Sequence, residues 1–287
     1  MTRGPLPKHI ATRSNDWFVL AVDLLALLGV PVLLVFVQVG APGPFQSLVT
    51  YSSQEPTLHG LFGHWTVHYS GLHLLENLTG YGVVVVMGYI LAWLLQERWW
   101  FRLSMFTILL VVPPLTMMVS LLCFGAIEPG LSYTSRGASA VIAALLGLLY
   151  GLSVGFVREL VDLRAAISIG GAMLILALTG LLSQIGSPSP VVFWGLLSAV
   201  AIILVLDSGV RLRHGSLSAV RWPAIGMIAV VGYGVTMAMF LVFGGLFPAD
   251  PFAGDTITNV FSHAAGFALG AIITFWGHRY WTGDSWV

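Results

Sequence analysis

Ser139 and His263 are the residues of this chain whose types and positions indicate chemistry most directly. They lie 124 residues apart, and each stands near the start of an apolar stretch long enough to cross a membrane. A hydroxyl and an imidazole at the same depth of a bilayer can act as a nucleophile and its general base. Because polar groups in hydrocarbon are costly, they predict a functional site.

Both residues also have structural interpretations. A serine at a helix start can cap backbone amides or assist helix packing, and a single histidine can simply hydrogen-bond a neighbour. Gly266 and Gly270 are four residues apart and allow a second helix to approach closely. Gly137, two residues before Ser139, permits the same close approach. If the two helices pack together, His263 can remove the hydroxyl proton of Ser139.

A third polar group is the histidine-rich segment at the start of another apolar stretch, with His64, His68, His73 and Asn77. His73 and Asn77 are four residues apart and share one helical face. Clustered histidines can bind zinc, but only Glu76 could complete such a set, and it projects about 100° away from Asn77. His73 and Asn77 can both donate hydrogen bonds, as an oxyanion hole requires.

The elements that must position these side chains are membrane helices. The mean hydropathy is +0.91 and only 8% of the residues are charged, whereas soluble domains contain about 25%. The formal net charge is zero, which gives no electrostatic argument for binding nucleic acid. Cys123 is the only cysteine, so an internal disulfide is excluded. The polar N-terminus and the long apolar run behind it do not resemble a cleavable signal peptide.

Hydropathy divides the chain into three regions: a cytoplasmic N-terminal segment (1–16), a transmembrane domain (17–276) and a cytoplasmic C-terminal tail (277–287). Unbroken apolar runs of this length predict helices. The connector at 40–70 mixes glycine and proline with aromatic residues, which predicts a structured element rather than a free linker. The predicted all-α, polytopic fold has about eight spans, at approximately 17–39, 71–95, 103–125, 138–157, 165–185, 190–206, 224–246 and 258–276.

The basic residues predict the orientation of these spans. With the N-terminus in the cytoplasm, alternation places every lysine and arginine inside except Arg136, out of 12 in total. The helices that begin near His73, Ser139 and His263 then all start on the outer side. We therefore expect a polar cavity, open to the outer side, lined by these three residues and Asn77.

The same segments resemble the rhomboid family of intramembrane serine proteases. The family has a histidine-rich stretch entering a helix with His and Asn four apart, a Gly-x-Ser motif, and a His-x-x-Gly-x-x-x-Gly helix. The corresponding residues here are His64, His68, His73 and Asn77; Gly137 and Ser139; and His263, Gly266 and Gly270. The resemblance covers about 64–157 and 258–276.

The resemblance implies a Ser–His dyad, with Ser139 as nucleophile and His263 as base. It implies that His73, Asn77 and the Ser139 amide hold the oxyanion, and that His68 supports the outer loop. The expected activity is cleavage of membrane-protein substrates in or near their spanning segments. No metal or organic cofactor is expected, and the simple topology favours a prokaryotic plasma membrane.

The chain departs from the family pattern in several places. Ala140 replaces the glycine after the serine, and Ala143 replaces a tyrosine that packs on the base, so another group must position His263; spacing suggests Asn259. The usual Trp-Arg pair is absent from 40–70. Three helices, rather than one, separate the serine and histidine helices, which implies a six-helix core with two additional helices among 165–246.

Two other functions stay open on the sequence. One is a rhomboid-like pseudoprotease that binds membrane proteins without cutting them, which the lost tyrosine and glycine would permit. The other is a transporter that uses the histidines as a proton path. The chain shows no repeated halves and no buried run of acidic residues, which disfavours the transporter.

Overall fold

The computed structural model describes residues 16–127, 130–185, 189–213, 222–246 and 259–282, and these residues are almost entirely helical. Eight described helices contain 20 residues or more. The helices are α1 Asp16–Val35, α2 Gly43–Val49, α3 Leu58–Gly63, α4 Gly71–Leu94, α5 Arg98–Ile127, α6 Ser139–Leu160, α7 Leu163–Ile185, α8 Pro190–Arg213, α9 Trp222–Leu246 and α10 Val260–Thr282. A π-helical turn (Phe36–Gly40) extends α1.

Every predicted apolar segment coincides with one long helix. Within the described ranges, six helices are long and apolar enough to cross a membrane, which confirms an all-α, multi-pass integral membrane protein. In α8 and α10 the apolar stretches are shorter, at 191–207 and 260–276. Helix α10 continues past the predicted boundary at 276 because backbone hydrogen bonding does not stop where hydropathy falls. Of the predicted terminal segments, residues 1–15 and 283–287 lie outside the described part.

Helix α6, which begins at Ser139, is the centre of the bundle. Of its most apolar 18-residue window, 89% is buried inside the protein. It packs against α4, α5, α7, α9 and α10, whereas α8 lies outside this group and packs against α7. A helix that is apolar on all sides and buried on all sides is the element best suited to fix the position of a residue at its end.

Helices α6 and α10 approach each other through glycines contributed by both. A Cβ at Gly266 would lie 2.3 Å from the Ala140 carbonyl oxygen, and one at Gly147 would lie 2.1 Å from the Phe267 carbonyl oxygen. The fit is tighter still at Gly270, which faces the backbone of α6 at Ala144. The predicted close packing around Gly266 and Gly270 is therefore present, and its partner is the Ser139 helix.

The connector at 40–70 is structured, as predicted. It contains α2, α3 and a 3₁₀ turn (His64–Thr66), and its strand β1 (Tyr51–Ser52) pairs antiparallel with β2 (Thr134–Ser135). The side chain of Tyr51 is fully buried. This two-stranded sheet joins the connector to the segment just before Ser139.

Helix α1 contacts the bundle through apolar residues, such as the fully buried Leu34, and through a polar cluster at Asp23. Asp23 is 3% exposed and forms a two-point ion pair with Arg102 of α5, in which Nη2 donates to Oδ2 at 2.9 Å. The Tyr89 hydroxyl of α4 donates to the same carboxylate at 2.7 Å. Because a buried carboxylate needs such partners, this cluster fixes α1 against two neighbouring helices.

Candidate active site

The Ser139 hydroxyl and the His263 ring are hydrogen-bonded to each other. Ser139 Oγ lies 2.8 Å from His263 Nε2, although the residues come from different helices. His263 is 4% exposed, and the bond lies at the ends of α6 and α10 that face the 40–70 connector. A half-buried hydroxyl in contact with a buried imidazole nitrogen is the geometry of a nucleophile and its general base.

Ser139 is the first residue of α6, and its hydroxyl does not act as the helix cap. The cap position is Ala138, which makes no side-chain hydrogen bond. The first amides of a helix have no acceptor within that helix and form its positive dipole end. Ser139 therefore presents its oxygen beside a group of backbone donors, which favours negative charge there.

The imidazole of His263 is oriented by a backbone carbonyl. Its Nδ1 is hydrogen-bonded to the oxygen of Leu246, the last described residue of α9. Asn259, which spacing suggested for this role, instead directs its side chain to Ser120 and to the Ser262 amide. The prediction that Asn259 holds the ring is therefore corrected in favour of Leu246.

The close helix packing explains why an aromatic residue is absent at position 143. Ala143 is fully buried, and a Cβ on Gly266 would lie 3.3 Å from the Ala143 Cβ. A tyrosine ring has no room between two helices at this separation. Ala143 of α6 and the glycines of α10 form the interface between these two helices. The imidazole of His263 is held instead by the Leu246 carbonyl.

His73 lies beside the turn that leads into Ser139. Gly137 has φ +117°, and a Cβ there would lie 2.6 Å from His73 Cε1, so both the backbone angle and the close ring require glycine. The His73 ring stacks on Tyr69, with centroids 6.0 Å apart and planes 19° apart. The Arg136 guanidinium covers the Tyr69 ring, 5.6 Å from its centroid.

Asn77 lies one turn after His73 and is 5% exposed. Its Nδ2 donates to the His73 carbonyl at 2.7 Å. An amide nitrogen carries two hydrogens, so this bond leaves a second donor. The predicted pair thus shares one face of α4.

His68 and His64 form hydrogen bonds with the segment just before Ser139. His68 is 1% exposed, and its Nε2 accepts from the Ala138 amide at 3.4 Å. The Gly137 amide donates to the His64 carbonyl at 3.1 Å. Burial lowers the pKa of each imidazole to about 4, and for His68 the nearby His73 adds to the effect. Both rings are neutral at neutral pH, as an accepting His68 nitrogen requires.

The four predicted residues His73, Asn77, Ser139 and His263 line one cavity of about 750 Å³. Its other walls come from α9, from the segment 133–137 and from Phe124. The sequence predicts a polar cavity, but the lining is mainly apolar with a few convergent polar groups, as is typical of small-molecule sites. Within the part of the chain that the structure describes, no three His, Cys, Asp or Glu side chains gather in a way that could hold a metal ion.

Sequence reasoning did not identify Leu246, Tyr69 or Arg136 as parts of the site. Leu246 acts through its backbone, so its residue type carries no signal. Arg136 had one visible signal, because it is the single basic residue that charge alternation places outside. Comparisons with protein-family models, with curated proteins and with solved structures gave no match to this chain.

Proposed function

We propose that this chain is an intramembrane serine endopeptidase of the rhomboid type, which cleaves the spanning segments of other membrane proteins. The observation that carries the proposal is the 2.8 Å contact between Ser139 Oγ and His263 Nε2 at the wall of a cavity within an apolar helix bundle. Hydrolysis inside a membrane needs a nucleophile, a base and access for water, and the cavity can supply all three.

The proposed reaction starts with attack of Ser139 Oγ on the scissile carbonyl while His263 Nε2 takes the hydroxyl proton. The charge that develops on the carbonyl oxygen is stabilised by the first amides of α6, by His73 and by Asn77. His263 then gives its proton to the leaving amine, and the C–N bond breaks. Water from the cavity then attacks the acyl carbonyl while His263 takes a proton from it. His263 returns the proton to Ser139 Oγ as the ester bond breaks.

The substrate must expose a peptide carbonyl to Ser139. A stable helix hides its carbonyls in hydrogen bonds, so the preferred segments contain small or helix-breaking residues near the cut. This proposal needs no cofactor. Its setting is an eight-span protein of a prokaryotic plasma membrane, with both termini in the cytoplasm and the cavity open to the outer side.

The arrangement of helices supports a six-helix core of α1, α4, α5, α6, α9 and α10. In that scheme α9 takes the place of the helix that usually lies between the serine and histidine helices, because it packs against both α4 and α6. Helices α7 and α8 are then the additional pair.

The test is cleavage of a reporter transmembrane substrate in proteoliposomes. Ser139→Ala and His263→Ala should each abolish product, and a chelator should leave the rate unchanged. Activity that survives Ser139→Ala would exclude this mechanism, and loss of activity with chelator would indicate a metalloprotease. A fluorophosphonate probe should label Ser139 in the wild type and far more slowly in His263→Ala. Binding of the reporter without any cleavage would favour the pseudoprotease.

A further inference from the structure

We infer that the Leu246 carbonyl is a positioning group for His263. We also infer that helix α7 keeps this carbonyl in place by packing against α9. The inference rests on the proposed function, since it assigns how the base of that reaction is made ready. A carbonyl oxygen can only accept, so His263 Nδ1 must carry the ring hydrogen. In this neutral tautomer Nε2 has no hydrogen and can accept from Ser139 Oγ. A general base needs this tautomer.

Leu246 is the last residue of α9 that the structure describes, and its carbonyl oxygen accepts from His263 Nδ1. The carbonyls in the last turn of a helix form its negative dipole end. Leu246 is 5% exposed and His263 is 4% exposed, so water does not weaken their bond. The carbonyl therefore favours the imidazolium that forms when Ser139 loses its proton. In soluble serine proteases a carboxylate has this role.

Helix α9 packs against α4, α6 and α7, and one of its contacts with α7 is very close. A Cβ at Gly180 of α7 would lie 2.4 Å from Phe240 Cδ2, so the Phe240 ring rests directly on the glycine. Phe240 precedes Leu246 by less than two turns of α9. The contact of α9 with α4 is looser at Gly234, where a Cβ would lie 3.1 Å from the flexible end of Met87. Because α9 is continuous between these residues, we expect a shift of Phe240 to move the Leu246 carbonyl.

The tautomer can be measured without any substrate. In protein with ¹⁵N-labelled histidine, the resonances lost in His263→Gln identify His263. At a pH where the His263 ring is neutral, we expect hydrogen on Nδ1 and none on Nε2. Hydrogen on Nε2 would overturn the inference. If the Nδ1–H form is found but neither cleavage nor fluorophosphonate labelling occurs, only the proposed function fails; if cleavage occurs with hydrogen on Nε2, only this inference fails.

The carbonyl can be weakened without changing a side chain. Replacing Phe247 by its α-hydroxy acid turns the 246–247 amide into an ester, whose carbonyl is a poorer acceptor. We expect kcat to fall about fivefold to tenfold with KM unchanged. The same backbone change at Val230, which is 74% exposed on α9, is the control and should leave kcat unchanged. Equal effects at both positions would show general weakening of the helix and would contradict the inference.

The packing of α7 against α9 is tested by Gly180→Ala against Gly171→Ala. Both lie on α7, but a Cβ at Gly171 meets nothing within 4 Å. We expect only Gly180→Ala to lower kcat, several-fold, and to raise the share of the Nε2–H form. Adding Phe240→Leu should restore both, since the smaller side chain makes room. Unchanged kcat and tautomer in Gly180→Ala would show that α7 does not position the base.

Discussion

At the scale of single residues, some groups of the candidate site act through their side chains and others through the backbone. Ser139 and His263 meet through side-chain atoms, so their types alone indicate the chemistry. Leu246 contributes only a carbonyl oxygen, which any residue at that position has. Gly137 is needed for both its positive φ and its missing Cβ beside His73. Residue type therefore predicts the reactive groups better than it predicts the groups that orient them.

The oxyanion assignment gives a prediction at this scale. His73→Ala and Asn77→Ala should each lower kcat by about 10²–10³ with a smaller change in KM, since the lost donor acts mainly in the transition state. The measurement is the steady-state rate on the reporter substrate. Leu72→Ala is a matched control, because Leu72 lies beside His73 on α4 and is 66% exposed. A loss confined to KM would mean that the pair binds substrate but does not stabilise the oxyanion.

The buried histidines of the outer segment predict how stability depends on pH. The pKa of His64 and of His68 is about 4 in the folded protein, against about 6.5 for a free imidazole. Below pH ~6.5 the unfolded chain binds protons that the folded chain cannot, so stability falls until pH ~4; above pH ~6.5 neither state is charged.

We therefore expect the thermal midpoint in detergent to fall as the pH is lowered from 6.5 to 4. A His64→Gln/His68→Gln variant should start at a lower midpoint but show a shallower decline over the same interval. Equal slopes for wild type and variant would rule out these two groups as the source.

At the scale of elements, two features decide where the site forms. One is the interface of α6 and α10, in which small residues let the helices approach until Ser139 and His263 meet. The other is the β1–β2 pairing, which joins the connector to the turn before Ser139. The spacing of four between Gly266 and Gly270 of α10 predicts the close helix interface. The β1–β2 pairing joins residues more than 80 positions apart and involves only two residues in each strand, so no local sequence pattern predicts it.

The helix interface predicts opposite effects for two glycines of α6. Gly147→Ala should destabilise the protein, since its Cβ would lie 2.1 Å from the Phe267 carbonyl oxygen. Gly155→Ala should be neutral or stabilising, because a Cβ there meets nothing within 4 Å and alanine favours a helix by up to ~1 kcal/mol. Thermal midpoints in one detergent make the comparison. Similar changes in both variants would mean that the close contact is not limiting.

At the scale of the whole molecule, the bundle is organised around α6, and the candidate cavity opens at one end of it. That end contains the starts of α4, α6 and α10, so the candidate residues of these helices lie together. In the proposed scheme α7 and α8 are additional to a six-helix core, and α7 supports α9. The sequence predicts two additional helices among 165–246 but does not say which they are, because that depends on packing partners rather than on hydropathy.

The orientation of the molecule is testable with its single cysteine removed. In a Cys123→Ser background, a membrane-impermeant maleimide applied from outside should label Gln54→Cys and leave Glu159→Cys unlabelled. Both positions are exposed and lie in or beside connectors on opposite sides of the predicted membrane. Permeabilised cells should give labelling at both. Labelling of Glu159→Cys alone from outside would invert the predicted topology.

The sequence by itself determined the helical class and the approximate bounds of the eight long helices, and it supplied the candidate residues of the site. These properties are local, because an apolar run must form a helix in lipid and a histidine is visible wherever it occurs. The tertiary structure decided which helices meet, so it alone placed Nε2 of His263 beside Ser139 and the Leu246 carbonyl behind Nδ1. Such contacts arise between backbones that approach closely, and a backbone carbonyl has the same chemistry at every position.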